Sequence, residues 1–327
     1  MDLSIVSFVQ IIVSVLLVIA LMVANAVVMV YIERKMAGFI QRRPGPYEVG
    51  PYGTIQAVCD SMKLLAKQVF VPGNVDWLLY FLAPVTAFLP VLLLYLPIPF
   101  GPYLTAMNVD DGILLILAFA GLGVVSNLLA GWASNNKYGV LGAARAVSQS
   151  VAYEIPMIMA LLSVVFLTGS LNLTEIVDSQ GSWPWQWNIF AQPFAFFIYL
   201  VSLIGETNRA PFDLPEAESE LTAGFHTEYS GMGFALFFLS EYANMLLVSF
   251  VCATFFLGGW KGPFLDGFWW TFIKAYAIMV FMVWIRWTFP RVRFDQLLNI
   301  NWKWLLPLSI LNLWLTAAIL KILSKIY

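Results

Sequence analysis

The sequence predicts an all-α polytopic membrane protein with eight transmembrane helices and an amphipathic interfacial helix in its first inner loop. Three observations predict it. Of the 327 residues 61% are hydrophobic and only 11% charged, with mean hydropathy +0.81, well outside the balance of a soluble domain. Apolar stretches of the roughly 20 residues that a hydrocarbon core about 30 Å thick demands recur eight times. One basic loop also carries apolar residues at helical spacing.

The spans are placed at 3–31, 77–99, 112–133, 146–168, 188–206, 233–258, 267–288 and 302–322. The first opens Met1-Asp2-Leu3 without a basic head and far outruns a signal-peptide core, so it is expected to stay as an anchor. Arg34, Lys35, Arg42, Arg43, Lys63 and Lys67 follow the first span; Lys137, Arg145, Arg209, Arg291 and Arg293 follow the third, fifth and seventh. Alternate loops hold only Lys261, so the positive-inside bias puts the odd-numbered loops in the cytoplasm or matrix and both termini outside; Lys321 and Lys325 mildly oppose this. The organisation is a single integral-membrane domain, 1–327, with two notable inner loops, 32–76 and 206–232.

Within the first of these loops Ile55, Val58, Cys59, Met62, Leu65 and Val69 recur at helical spacing while Gln56, Asp60, Lys63 and Lys67 take the other face. About 15 residues at 1.5 Å each give roughly 22 Å of helix lying along the membrane boundary. It either walls an entrance from the lipid or serves as a plain interfacial anchor.

Composition also excludes classes of function. A net charge of −2 argues against nucleic acid as a partner. Two cysteines are too few for an iron–sulfur cluster, and the single His226 cannot supply both axial ligands of a haem. No glycine-rich dinucleotide fingerprint or phosphate-binding loop is present, so no haem, iron–sulfur cluster or flavin, and no metal site, is expected in this chain.

The chemistry-bearing residues are carboxylates. The 206–229 segment sets Glu206, Asp213, Glu216, Glu218, Glu220 and Glu228 against Arg209 alone. Crowded or buried carboxylates bind protons more tightly, which makes such a cluster a proton-handling candidate. Part of it has a plainer reading, because Asp213, Pro215 and Glu216 resemble an acid-capped helix N-terminus. Glu154 and Glu241 lie about eight residues into their spans, roughly 12 Å deep, where an ionisable group is costly and marks an ion or proton path. Ser150 and Asn244 are their expected polar neighbours at helical spacing, and Tyr199 and Ser202 lead toward Glu206. The alternative for both acids is a neutral, hydrogen-bonded structural role.

Arg286, Arg291 and Arg293 either pair with these acids, bind a partner or polar head group, or only set topology. His226 is read as a hydrogen-bonding loop residue or a proton donor, and Cys59 and Cys252 as small apolar fillers.

Glu33-Arg-Lys, Gln41-Arg-Arg-Pro-Gly-Pro46, Val49-Gly-Pro-Tyr-Gly53, Gly131-Trp-Ala-Ser-Asn135, Ser150-Val-Ala-Tyr-Glu154, Glu206-Thr-Asn-Arg-Ala-Pro-Phe-Asp213 and Trp284-Ile-Arg-Trp-Thr-Phe-Pro-Arg-Val-Arg-Phe-Asp-Gln296 together resemble the quinone-site membrane subunit of respiratory complex I, NADH:quinone oxidoreductase. The likeness covers essentially the whole chain; Gln68 departs from it where many relatives carry Glu. It implies a non-redox subunit of a proton-translocating oxidoreductase, inactive alone, in a bacterial inner membrane or its mitochondrial counterpart. It implies partners among the other membrane subunits and the iron–sulfur and quinone-site subunits of a peripheral arm, and quinone as the bound substrate. By the same likeness Glu33, Arg34, Arg43, Asp60, Lys63, Phe238, Arg286, Arg291 and Arg293 would flank the quinone path. Glu206, Glu216, Glu218, Glu220 and Glu228 would receive the redox signal, and Glu154 and Glu241 would extend a proton relay into the membrane. Cousins of this family serve membrane-bound hydrogenases and ferredoxin- or F420-dependent complexes. Rival readings from other classes are a stand-alone proton-coupled transporter and a purely structural anchor.

Overall fold

In a bilayer an apolar segment must satisfy its own backbone, so long runs of Leu, Val, Ile, Phe and Ala fold as helices. A computed structural model describes residues 5–215 and 223–326, with side chains from residue 12 to 324. Met1-Asp2-Leu3 and the acids Glu216, Glu218 and Glu220 lie outside the described residues. The helices are α1 (Ile5–Ile40), α2 (Gln56–Ala66), α3 (Trp77–Leu94), α4 (Gly112–Ala133), α5 (Lys137–Thr168), α6 (Leu173–Asp178), α7 (Asn188–Ala191), α8 (Pro193–Glu206), α9 (Met232–Phe256), α10 (Phe268–Thr288), α11 (Phe294–Ile300) and α12 (Leu306–Ile326). A wide turn, Asn301–Leu305, joins the last two.

Among the described residues seven helical runs are long and apolar enough to cross a membrane: α1, α3, α4, α5, α9, α10 and the combined α11–α12. The eighth expected span, 188–206, is divided. Pro193 has no N–H and restricts the residue before it, so Gln192 leaves helical geometry (φ −134°, ψ 59°) and the apolar helix that follows has 14 residues.

Other boundaries move outward. α1 continues to Ile40, past residue 31, with Glu33 paired to Arg286 and Arg34 to Asp60. α5 starts at Lys137 instead of 146, where Asn136 caps it by accepting the Tyr138 N–H at 3.0 Å.

The expected interfacial helix forms as α2. Ile55, Val58, Met62, Leu65 and Val69 are all exposed along one side, while Asp60 on the other pairs with Arg34 of α1 and accepts from Gln56 at 2.8 Å. The loop before it doubles back on α1, and Gly38 permits this: a Cβ there would stand 2.8 Å from the Arg43 carbonyl oxygen.

At the centre lies α9, with Phe250, Phe255 and Phe256 fully buried. Its neighbours donate side-chain hydrogen bonds to its carbonyls: Asn25 to Tyr242 at 3.1 Å, Tyr95 to Ala243 at 2.6 Å and Tyr199 to Val248 at 2.9 Å. In its last turn, Gln180 reaches Thr254 O at 2.8 Å and Asn188 reaches Phe255 O at 2.9 Å. Beyond that turn Lys274 of α10 donates to the carbonyls of Gly259 (2.9 Å) and Lys261 (2.6 Å) beneath the Trp187 ring. Burying an ammonium is tolerable when its donors are matched in this way.

Candidate functional site

The functional side chains gather at the acidic-loop end of the bundle, where the last turns of α1 and α10 meet the first turns of α9. A cleft of about 320 Å³ opens there, walled by Glu33, Arg34, Arg209, Glu241, Tyr242 and Arg286, with Val30, His226, Phe234, Phe237, Phe238 and Trp287. Glu33 is its hub. Oε1 pairs with Arg286, Oε2 accepts the Tyr242 hydroxyl at 2.6 Å, and Arg209 Nη1 stands 3.8 Å from the same oxygen. The Arg209 guanidinium also covers the Tyr242 ring, 4.4 Å from its centroid. A buried carboxylate needs such a set of donors, and Glu33 is only 7% exposed.

Behind this cleft a second, narrow cavity of about 90 Å³ runs between α3, α4, α5, α8 and α9. Its polar wall holds Ser126, Asn127, Ser150, Glu206, Asn208 and Asn244. Oε2 of Glu206, Oγ of Ser202 and Oδ1 of Asn208 are buried without a hydrogen-bond partner in the protein. Glu241 and Phe237 line both cavities. A carboxylate therefore stands on the partition between an arginine-rich cleft and a polar chamber inside the bundle.

Around this pair of cavities the other predicted residues take separate places. Phe238, Glu33, Arg34, Arg286 and Glu241 are brought together in the cleft, and Asp60 is attached to it through Arg34. The Arg34 guanidinium, hydrogen-bonded to Asp60, holds that carboxyl below its ordinary value. Arg291 pairs with Asp213 at 3.3 Å, and neither lines the cleft. Arg293 caps α11, its N–H donating to Gln296 at 3.3 Å. Arg43 and Lys63 are not among the lining residues; Arg43 instead donates to Gln41 at 2.7 Å.

Glu228 accepts from Asn136 at 2.6 Å at the N-terminus of α5, where its charge complements the helix dipole. Its neighbour Tyr229 stacks on Tyr80 with centroids 4.3 Å apart, and burial pushes the Tyr229 phenol above its ordinary range. Ser150 lines the chamber, but Glu154, one turn further along α5, faces α4: its Oε1 lies 3.9 Å from where a Cβ on Gly121 would stand. Glu154 and Glu206 stand on α5 and α8, which pack against each other.

A family profile described as NADH dehydrogenase matches residues 12–317. The chain is 47% identical, over 97% of its length and 99% of the relative's, to the H-type subunit of NADH-quinone oxidoreductase from Desulfotalea psychrophila. The chain belongs to this family of NADH-quinone oxidoreductase membrane subunits. Proteins of the same name from Dehalococcoides mccartyi (46% identity, 90% of this chain and 82% of the relative) and Bacteroides thetaiotaomicron (44%, 92% and 88%) agree over similar lengths.

Within this family member, several residues of the two cavities are not marked as site components by the sequence, Tyr242, Arg209 and Asn127 among them. Tyr242 adjoins Glu241, and its value as a donor to Glu33 depends on a contact across 209 residues. Arg209 was visible only as the counter-charge of the acidic loop. Asn127 carried no signal beyond being a polar residue in an apolar span, the cue that singled out Glu154 and Glu241.

Proposed function

We propose that this chain is the membrane subunit of a proton-translocating NADH:quinone oxidoreductase, seated in a bacterial inner membrane with its termini on the outer side. In this reading it shapes the path by which a quinone reaches the peripheral redox arm, and couples quinone reduction to proton movement. The names of its relatives support the assembly, and the chemistry of the cleft supports the substrate. Phe234, Phe237, Phe238, Val30 and Trp287 suit an apolar ring and tail. Arg34, Arg209 and Arg286 offer donors to oxygens that gain negative charge on reduction. The chain itself transfers no electrons; flavin and iron–sulfur chemistry belongs to partner subunits.

The observation that carries this reading is the position of Glu241 on both cavities. A charge change in the cleft acts on Glu241 directly, and Glu241 passes it to Glu206 and Asn244 across the chamber, with Glu154 responding to Glu206. Carboxylates that feel one another's charge titrate as a coupled set, so one charge event re-sets several proton affinities. Water in the chamber would carry the proton between them.

The test is Glu241→Gln in the assembled complex. NADH:quinone turnover is expected to persist while protons moved per electron fall at least twofold; an unchanged stoichiometry would overturn the coupling role. Native mass spectrometry of the extracted assembly tests the host complex: flavin and iron–sulfur subunits support it, and a nickel–iron hydrogenase reassigns the chain.

A further inference from the structure

Pro156 interrupts the 32-residue helix α5 two residues after Glu154. Having no N–H, it leaves the carbonyl of Ala152, four residues earlier, without its helical donor. A bare carbonyl in the interior of a membrane protein is costly and must find another partner.

That partner comes from the far end of the chain. Between α11 and α12 the helical ladder widens over Asn301–Leu305, where the Leu306 N–H bonds to Asn301 O five residues back. Asn301 is fully buried, and its Nδ2 donates to Ala152 O. The next residue of α5 returns the bond, as the Tyr153 hydroxyl donates to Leu297 O on α11 at 3.2 Å. Two hydrogen bonds running in opposite directions thus clasp α5 to α11 immediately before Glu154. The Tyr153 ring also fills the space beside Gly205, where a Cβ would lie 2.5 Å from it, one residue from Glu206.

The other end of α11 is fastened to the start of the acidic loop. The Val292 N–H donates to Pro211 O at 3.0 Å, and Arg291 pairs with Asp213 at 3.3 Å. Seven residues of helix, roughly 10 Å, therefore separate an ion pair at the start of the acidic loop from the backbone that presents Glu154.

We propose that Asn301 is a positioning residue: by supplying the donor that Pro156 withholds from Ala152, it sets how α5 presents Glu154, and α11 transmits movements of the Arg291–Asp213 contact to that acid. The role rests on the coupling function proposed above. It differs from simple packing because it predicts a loss of coupling without a loss of turnover.

The experiment uses the assembled complex in native membranes, comparing Asn301→Leu, Tyr153→Phe and Glu154→Gln for complex abundance, NADH:quinone turnover, apparent quinone KM and protons moved per electron. Asn301→Leu removes the donor at similar volume, and Tyr153→Phe removes only a hydroxyl. Both are expected to keep turnover and KM within twofold per assembled complex while lowering protons per electron at least twofold. If Asn301→Leu does not assemble, Tyr153→Phe decides alone. Turnover and pumping that fall together, or a wild-type ratio in the variant that decides, would overturn the positioning role while a lowered ratio in Glu154→Gln leaves the coupling function standing. A wild-type ratio in Glu154→Gln would overturn the part of the coupling function that Asn301 serves.

Discussion

The hydroxyl of Tyr242 on α9 donates to Oε2 of Glu33 on α1 at 2.6 Å, in the same wall where Arg286 holds the other oxygen of that carboxylate. Three helices, α1, α9 and α10, are thereby tied at one buried charge.

Removing that hydroxyl with Tyr242→Phe keeps the ring under Arg209 and takes one donor from a buried carboxylate. A hydrogen bond to a charged group is worth about 2 kcal/mol. Arg286→Met removes the closer counter-charge and costs more, about 3 kcal/mol, because the charge of Glu33 is left poorly paired. Both variants are expected to lower the thermal midpoint of the purified complex in that order, and to raise the apparent KM for quinone several-fold. Equal midpoints for both variants and the parent would contradict the hub.

A pH dependence is expected at α2. Arg34 holds the Asp60 carboxyl below its ordinary value, first through their hydrogen bond and further through Gln56. The folded state thus binds the Asp60 proton more weakly than the unfolded state. Its stabilisation is complete above the unfolded value of about 3.9 and is lost as pH falls through the folded one. Both side chains are partly exposed, so the contribution is at most about 1 kcal/mol. Hydrogen exchange at 56–66 should stay slow from neutral pH to about 4 and quicken below it beyond the intrinsic rate, and Asp60→Asn should abolish that extra change.

Close contact between α4 and α5 gives a third prediction. A Cβ on Gly131 would stand 2.3 Å from that of Ala143 and 2.6 Å from the Gly139 carbonyl oxygen, whereas one on Gly123, in the same helix, meets nothing within 4 Å. Gly131→Ala must push the helices apart, at about 1–3 kcal/mol. Reduced yield and midpoint are expected for Gly131→Ala, with Gly123→Ala indistinguishable from the parent.

Hydropathy was enough to place the bundle, because the bilayer enforces length and apolarity on each span, and the spacing of Ile55, Val58, Met62 and Leu65 was enough to place α2. Helix ends were less legible. Glu33 reads as the polar end of a span, yet it remains helical and buried because Tyr242 and Arg286 arrive from 209 and 253 residues away. Glu241 announced itself by its cost in an apolar setting and Glu206 by the acidic loop it opens, but that they share one chamber follows only from how α8 and α9 pack. Lys274 drew no notice, since one cation in an apolar helix leaves the average almost unchanged. Its matching carbonyls belong to a glycine turn that has no signature of its own.

That turn has a mechanical consequence. With Lys274, Gln180 and Asn188 fastened to the backbone at and beyond the final turn of α9, the helix is anchored at that extremity like a beam set in masonry. Its other half, carrying Glu241 and Tyr242, is held instead through the charge of Glu33. A change in that charge therefore loosens the grip on the cleft half of α9 while the Gly258–Lys261 end keeps its carbonyls fastened.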